Sequence, residues 1–314
     1  MPVFITWNHG CCLPLSLSLI LLSFICCWYT FSPSSFSLPS PSLSSTSPPD
    51  VFLLGTAKSG TTELYHLLYH LLIQHPKICH HPTKELHYFD RNTSTLDPTS
   101  YWQMFRNCPR HLLMIDASPN YFRDNVSFYN FKKFYTASEI RNKKYILILR
   151  DPIAREISWF YHVKRKCLQF HTTQQKPPPR YKCLANKSDE ITTNFEEYLF
   201  SDRFQPWGSM YSHQLQRWLT IIQRKQIFIL EMNTLWKSTS LVLNRIFAFL
   251  NLPTIHSISS FDKRKENYQS SYNKTVGSKS MTYLRHLYSH EMMNLLTYLK
   301  ESKTPYELEF QGFD

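Results

Sequence analysis

The first 49 residues contain no Lys, Arg, Asp or Glu. No side chain there carries a fixed charge at neutral pH. The ten residues ahead of Cys11 lack the basic cluster that orients a membrane segment. The eight cysteines include no Cys-x-x-Cys pair and no Cys/His spacing of a zinc site. No carboxylate cluster suited to a metal is evident, and no internal repeat or second linker follows residue 50. Acidic residues are the minority, 23 against 35 Lys and Arg, for a formal charge of +12. A basic surface calls for acidic partners: nucleic acid, anionic lipid, a phosphorylated cofactor or a sulfated polysaccharide. Charge alone does not choose among them.

What is present begins with residues 11–31, mostly Leu, Ile, Phe, Cys and Ser, long enough for one membrane-spanning helix. A cleaved secretory signal is the rival reading. The preferred one is an uncleaved anchor, with residues 1–10 as a short cytoplasmic tail. Residues 32–49 are dominated by Ser and Pro and read as an extended stem. Four N-glycosylation sequons follow, at Asn92, Asn125, Asn186 and Asn273. Anchor, stem and sequons together place a single domain, 50–314, in the lumen of the secretory pathway and argue against nucleic acid as the partner. In that oxidising setting Cys167 and Cys183 are candidates to close a loop over Pro177-Pro178-Pro179, with Cys79 and Cys108 as the second pair. Buried free thiols are the competing reading. Oligomeric state has no readable signal.

Beyond the stem, apolar runs predict strands at 51–55, 78–80, 112–116, 145–149 and 226–230. Helical spacing predicts helices from Gly60 to about Gln74 and over 153–166, 241–250 and 283–299. Strands alternating with helices imply an α/β fold, a mostly parallel sheet covered on both faces. Ligands in such folds bind beyond the carboxyl ends of strands. Lys58, Asp116 and Arg150 all fall there.

The stretch Val51-Phe-Leu-Leu-Gly-Thr-Ala-Lys-Ser-Gly-Thr-Thr-Glu-Leu64 runs from a strand through a Gly-bounded turn into a helix. Gly55 and Gly60 permit a tight turn and close ligand approach. The helix start offers unpaired N–H groups to an anion, and Lys58 adds charge. A Walker A loop places its lysine directly after the second glycine. Here the lysine comes before it, which argues against a P-loop kinase.

This loop resembles the 5′-phosphosulfate loop of sulfotransferases that use 3′-phosphoadenosine 5′-phosphosulfate (PAPS). About ninety residues on, Arg150-Asp-Pro-Ile-Ala-Arg-Glu-Ile-Ser158 resembles their 3′-phosphate motif. Between them, Pro82-Thr-Lys-Glu-Leu-His-Tyr-Phe-Asp90 is similar to a segment of the Golgi glycosaminoglycan sulfotransferases in which a Glu is the general base. The resemblance covers roughly 51–300 and implies a P-loop-like three-layer sulfotransferase fold in a Golgi type II membrane enzyme. It implies PAPS as donor, no metal, and a sulfated glycosaminoglycan as acceptor.

Residue by residue, it implies donor contacts from Lys58, Ser59, Gly60, Thr61, Thr62, Arg150 and Ser158. Glu85 is implied as base, with His87 as the rival and Lys84 near the transferring group. Gly277 and Lys279, in Val276-Gly-Ser-Lys279, match less well the Lys-Gly-Arg loop that covers the nucleotide. Asp116-Ala-Ser-Pro-Asn-Tyr-Phe122 resembles a segment lining the cleft. For Tyr211, His213 and Trp218 a place near the acceptor competes with core packing. The combination of 84–90 and 116–122 looks closest to the N-acetylgalactosamine 4-sulfate 6-O-sulfotransferase group, acting on chondroitin or dermatan sulfate. Heparan sulfate sulfotransferases are the near alternative. Arg123, Lys132, Lys133, Lys164, Arg165 and Lys166 are candidates to meet the polyanion. A non-catalytic glycosaminoglycan-binding protein would keep the basic surface without Lys58, Glu85, Arg150 and Ser158 together.

Overall fold

Side chains alternate across a strand, so a strand apolar at every position must be covered on both faces. Three strands come close to that description in the computed structural model, polar only at the terminal Lys144 and Glu231: β1 (Val51–Gly55), β4 (Lys144–Leu149) and β5 (Ile227–Glu231). Phe52, Leu54, Tyr145, Leu147, Ile227 and Ile229 point into one core. Val51, Leu53, Ile146, Ile148, Phe228 and Leu230 point into the other. The model describes residues 48–62, 64–65, 77–80, 85–91, 96–254 and 276–301. These fall in one contact unit that begins at Ser45. The expected tail, anchor and most of the stem lie outside the described residues. Among the described residues no helix is long and apolar enough to cross a membrane.

With β2 (Ile78–His80) and β3 (Leu113–Asp116) the sheet runs β2-β3-β1-β4-β5, all strands parallel. The central β1 lies between β3 and β4. The order reverses there, which is where an open α/β sheet leaves a crevice beyond its carboxyl edge. The strand ends match the sequence expectations to within one residue.

The helices are α1 (Pro98–Gln103), α2 (Asn125–Phe134), α3 (Ala137–Asn142), α4 (Pro152–Thr173) and α5 (Lys187–Thr192). They continue as α6 (Phe195–Leu199), α7 (Tyr211–Leu219), α8 (Met232–Lys237), α9 (Thr239–Leu250) and α10 (Ser278–Glu301). α9 covers one face of the sheet; α2 and α7 cover the other. α4 starts where Asp151 accepts from the Ala154 N–H and Pro152 presets the first turn. It outruns the expected end at 166 and stops at Gln174, left-handed, ahead of the prolines. A third cluster packs α4 against α6 and α10 through Ile157, Phe160, Tyr198, Leu284 and Tyr288. Only the first turn of the helix expected from Gly60 to Gln74 is described.

Disulfides join Cys79 to Cys108 and Cys167 to Cys183. The first ties β2 to the turn after α1. The second ties α4 to the segment past the prolines.

Candidate active site

The β1 strand delivers the chain to Gly55, whose φ of +151° suits only glycine. A Cβ there would sit 2.6 Å from the Pro119 carbonyl oxygen. The turn that follows is held from inside. Thr56 donates its N–H to the Ile148 carbonyl at 2.8 Å, and its Oγ1 lies 2.5 Å from Ser59 Oγ. Ser59 and Thr61 are buried, while Lys58 and Gly60 have positive φ and lie partly exposed. The chain then enters a helical turn in which Leu64 N–H bonds the Gly60 carbonyl. The first amides of such a turn have no intrahelical acceptor.

Two arginines brace this loop. Arg150, at the end of β4, donates from Nη1 to the Lys58 carbonyl at 3.0 Å. Arg155, one turn into α4, donates from Nε to the Ala57 carbonyl at 3.2 Å. Arg155 is itself buried, paired with Glu156 at 2.6 Å, and Glu156 accepts from Ser209 Oγ at 2.7 Å. Gly208 gives it room, since a Cβ would fall 2.1 Å from Arg155 Nη1 and the guanidinium would have to shift. Arg155 and Glu156 carry no expected role in the sequence reading. Two adjacent opposite charges on a helix give no hint that both are buried.

Ser158 lies on α4 two turns after Arg150, and His162 follows one turn later. The His162 pKa is pushed down to about 4, first by burial and then by the charge of Lys58, Arg165, Lys166 and Arg180. The Lys58 charge is therefore felt on the α4 face that carries Ser158.

Glu85 and His87 meet at the same edge. His87 Nε2 is 3.3 Å from Glu85 Oε2, and its Nδ1 is 2.6 Å from Asp90 Oδ2. The imidazole is bracketed by two carboxylates. Burial, the largest single influence, raises the Asp90 pKa, but the hydrogen bond and charge of His87, the Asn120 hydrogen bond and the Arg180 charge together outweigh it, and the net shift is downward. Glu85 and His87 both adopt positive φ, 64° and 51°, uncommon for such residues.

The conformation is imposed from below. His87 N–H bonds Ser118 Oγ at 3.1 Å, and Tyr88 N–H bonds the Tyr121 hydroxyl at 3.0 Å. Ser118, Tyr121 and Tyr101 all donate to the buried Asp116, at 2.7, 3.0 and 2.7 Å. Burial pushes the Asp116 carboxyl up, against the pull of those three hydroxyls. The stretch 116–122, expected to line the cleft, is largely the brace beneath it: Tyr121 and Phe122 are fully buried.

Other expected residues part ways. Tyr211 and Trp218 are core residues, and Trp218 Nε1 donates to the Phe122 carbonyl at 3.0 Å. His213 is exposed. Gly277 and Lys279 were expected in a loop, but Ser278 already begins α10, so Lys279 lies in its first turn, exposed. Among the described residues no contact ties either of them to the 56–62 loop. Lys164 is committed elsewhere, donating to the Ile191 and Thr193 carbonyls at 2.7 Å each. Lys132 and Lys133 are exposed on α2. Asn186 and Ser188 are both exposed; Asn125 is exposed but its sequon partner Ser127 is buried. Lys84, Asn92 and Asn273 lie outside the described residues. No group of three or more His, Cys, Asp or Glu able to hold a metal occurs among the described residues.

Fold and site together define a parallel α/β domain with a lysine-bearing loop at its switch point and carboxylates beside it. Residues 48–297 match the sulfotransferase domain family, and the chain belongs to that family. It is 30% identical over 150 residues to the membrane-associated sulfotransferase kil1 of Dictyostelium discoideum, covering 46% of this chain and 29% of that protein. It is 26% identical over 226 residues to bifunctional heparan sulfate N-deacetylase/N-sulfotransferase 1 of Caenorhabditis briggsae, covering 68% and 24% respectively. The chain thus spans less than a third of either relative's length. Among solved structures, a sulfotransferase from Alicyclobacillus acidocaldarius superposes with a TM-score of 0.55 at 18% identity, over 82% of this chain and 98% of that one. That likeness is one of fold.

Proposed function

We propose that this protein transfers a sulfuryl group from PAPS to a glycosaminoglycan. One observation carries the reading. Two motif cations 92 residues apart, Lys58 and Arg150, are joined at the switch point by the Arg150 Nη1 to Lys58 carbonyl bond. Membership of the sulfotransferase family supports the reaction class.

In this reading Arg150 and Ser158 hold the 3′-phosphate, while Lys58 and the Ser59–Thr62 amides grip the phosphosulfate. They offset charge on the leaving oxygen during an in-line transfer. Glu85 takes the proton from the attacking hydroxyl or amine. His87 fixes Glu85, and Asp90 fixes His87, an arrangement that places a base and its orienter within hydrogen-bond reach. Lys84, next to Glu85 in sequence, is assigned to the transferring group. No part is assigned to Gly277 or Lys279.

For the acceptor, the chondroitin N-acetylgalactosamine reading rests on segments 84–90 and 116–122 alone. The named relative with a stated acceptor is a heparan sulfate enzyme, so a heparan-type chain is the acceptor we favour. Two disulfides and the exposed Asn186 sequon fit a secretory-pathway lumen, with residues 11–31 as the Golgi anchor.

The test is thermal stabilisation by 3′-phosphoadenosine 5′-phosphate (PAP), the expected product. Wild type is expected to melt higher with PAP, and Arg150→Ala to lose most of that shift. A folded wild-type sample with no shift contradicts the donor assignment.

A further inference from the structure

Beside α2 and α7 lies a cavity of about 340 Å³ whose wall includes Arg123, Trp207, Gly208, His213 and Arg217. It adjoins the donor loop through Arg155, which touches both Gly208 and the Ala57 carbonyl. Its charge is unbalanced. The half-buried Arg123 guanidinium lies 4.8 Å from the Trp159 ring centroid, and that of Arg155 lies 5.2 Å from the same ring. Burial, and next the Arg155 charge, push the Arg123 pKa down to about 10.

Two acids act on Arg123 by charge without bonding it, Glu156 and Asp124, and Asp124 also lines the cavity. Asp124 caps α2, accepting from Val126 N–H at 3.3 Å and Ser127 Oγ at 3.1 Å. Glu156 is held through Oε1 by Arg155 and Ser209, and its buried Oε2 has no partner. Among the described residues Arg123 makes no hydrogen bond and no ion pair. On the wall, Arg217 donates to the Phe122 carbonyl and to Asn125, leaving its buried Nε without a partner. Trp207 is 63% exposed, a flat apolar surface at the cavity edge.

A partly buried guanidinium that reaches a cavity gains a charge-assisted bond from an anion entering there. We propose that this cavity is a binding subsite for an anionic sugar, with Arg123 pairing its sulfate or carboxylate. The subsite rests on the glycosaminoglycan reading above and adds to it where the chain beyond the reacting sugar is gripped.

The test uses the full-length protein in detergent with PAP present and three probes. These are a heparin hexasaccharide, the same oligosaccharide desulfated and N-acetylated, and neutral chitohexaose. Arg123→Ala is expected to weaken the heparin hexasaccharide about tenfold or more, a charge-assisted bond's worth. PAP and chitohexaose binding are expected to stay level, and Arg123→Lys to restore most of the loss. A loss that persists on the desulfated probe identifies a carboxylate; one that vanishes there identifies a sulfate. Equal hexasaccharide affinity in wild type and Arg123→Ala overturns the proposal, as does a parallel loss of PAP affinity. If Arg123→Ala does not fold, Arg123→Gln keeps a stem over Trp159 and carries the same test. If wild type transfers no sulfate but hexasaccharide binding tracks Arg123, the catalytic reading falls and the subsite remains.

Discussion

His162 sits one helical turn after Ser158, where the charge of Lys58 reaches it, and its folded pKa of about 4 lies below the ordinary 6.5. The sign follows from which state binds the proton first. Between pH 6.5 and 4 the unfolded chain protonates His162 and the folded chain does not, so stability is full above that window and falls through it. Asp90, with a pKa below 3.8, adds its own loss only at lower pH. Chemical denaturation from pH 7 to 4 is expected to show a decline in wild type that is shallower in His162→Gln. Identical slopes would mean that burial beside Lys58 has been misjudged. At this scale the sequence placed Lys58 and Arg150 beyond strand ends and Ser158 on the following helix, and the structure has them there. It was silent on the Arg155–Glu156 pair, since burial of a charge leaves no mark on the residues around it, and it named Arg123 only as one of six candidate cations.

The strand–loop–helix unit around Gly55 is where local sequence and tertiary packing agree. Alanine at 55 is strained by φ and collides with the Pro119 carbonyl. Gly55→Ala is therefore expected to cost about 1–3 kcal/mol or more and to weaken PAP binding. Gly277→Ala, whose Cβ meets only Glu196 at 3.7 Å, is expected to stay within about 0.5 kcal/mol in urea melts. Equal costs would contradict the loop geometry. The apolar strands were legible for the same reason: a parallel sheet buried on both faces leaves few polar positions, here Lys144, Asp116 and Glu231 at strand ends. The helices of five to ten residues around 98–219 were harder, being too short for periodicity. In the structure, capping boxes at Thr136/Glu139 and Asn194/Glu197 start two of them. The left-handed turn at Glu85 and His87 had no local signal at all. Asp116, Ser118 and Tyr121 impose it from a different strand.

Across the whole molecule, the carboxyl edge of one sheet gathers a cationic loop, a carboxylate–imidazole–carboxylate set and a basic cavity. A non-catalytic polyanion binder needs only the last of these. The most direct measurement is transfer from radiolabelled PAPS by the full-length chain to heparan- and chondroitin-type acceptors, with Glu85→Gln alongside. Wild type is expected to label a glycosaminoglycan, and Glu85→Gln to keep PAP affinity while losing about a hundredfold to ten-thousandfold in rate. A folded wild-type chain that binds PAP yet labels no glycosaminoglycan contradicts the account.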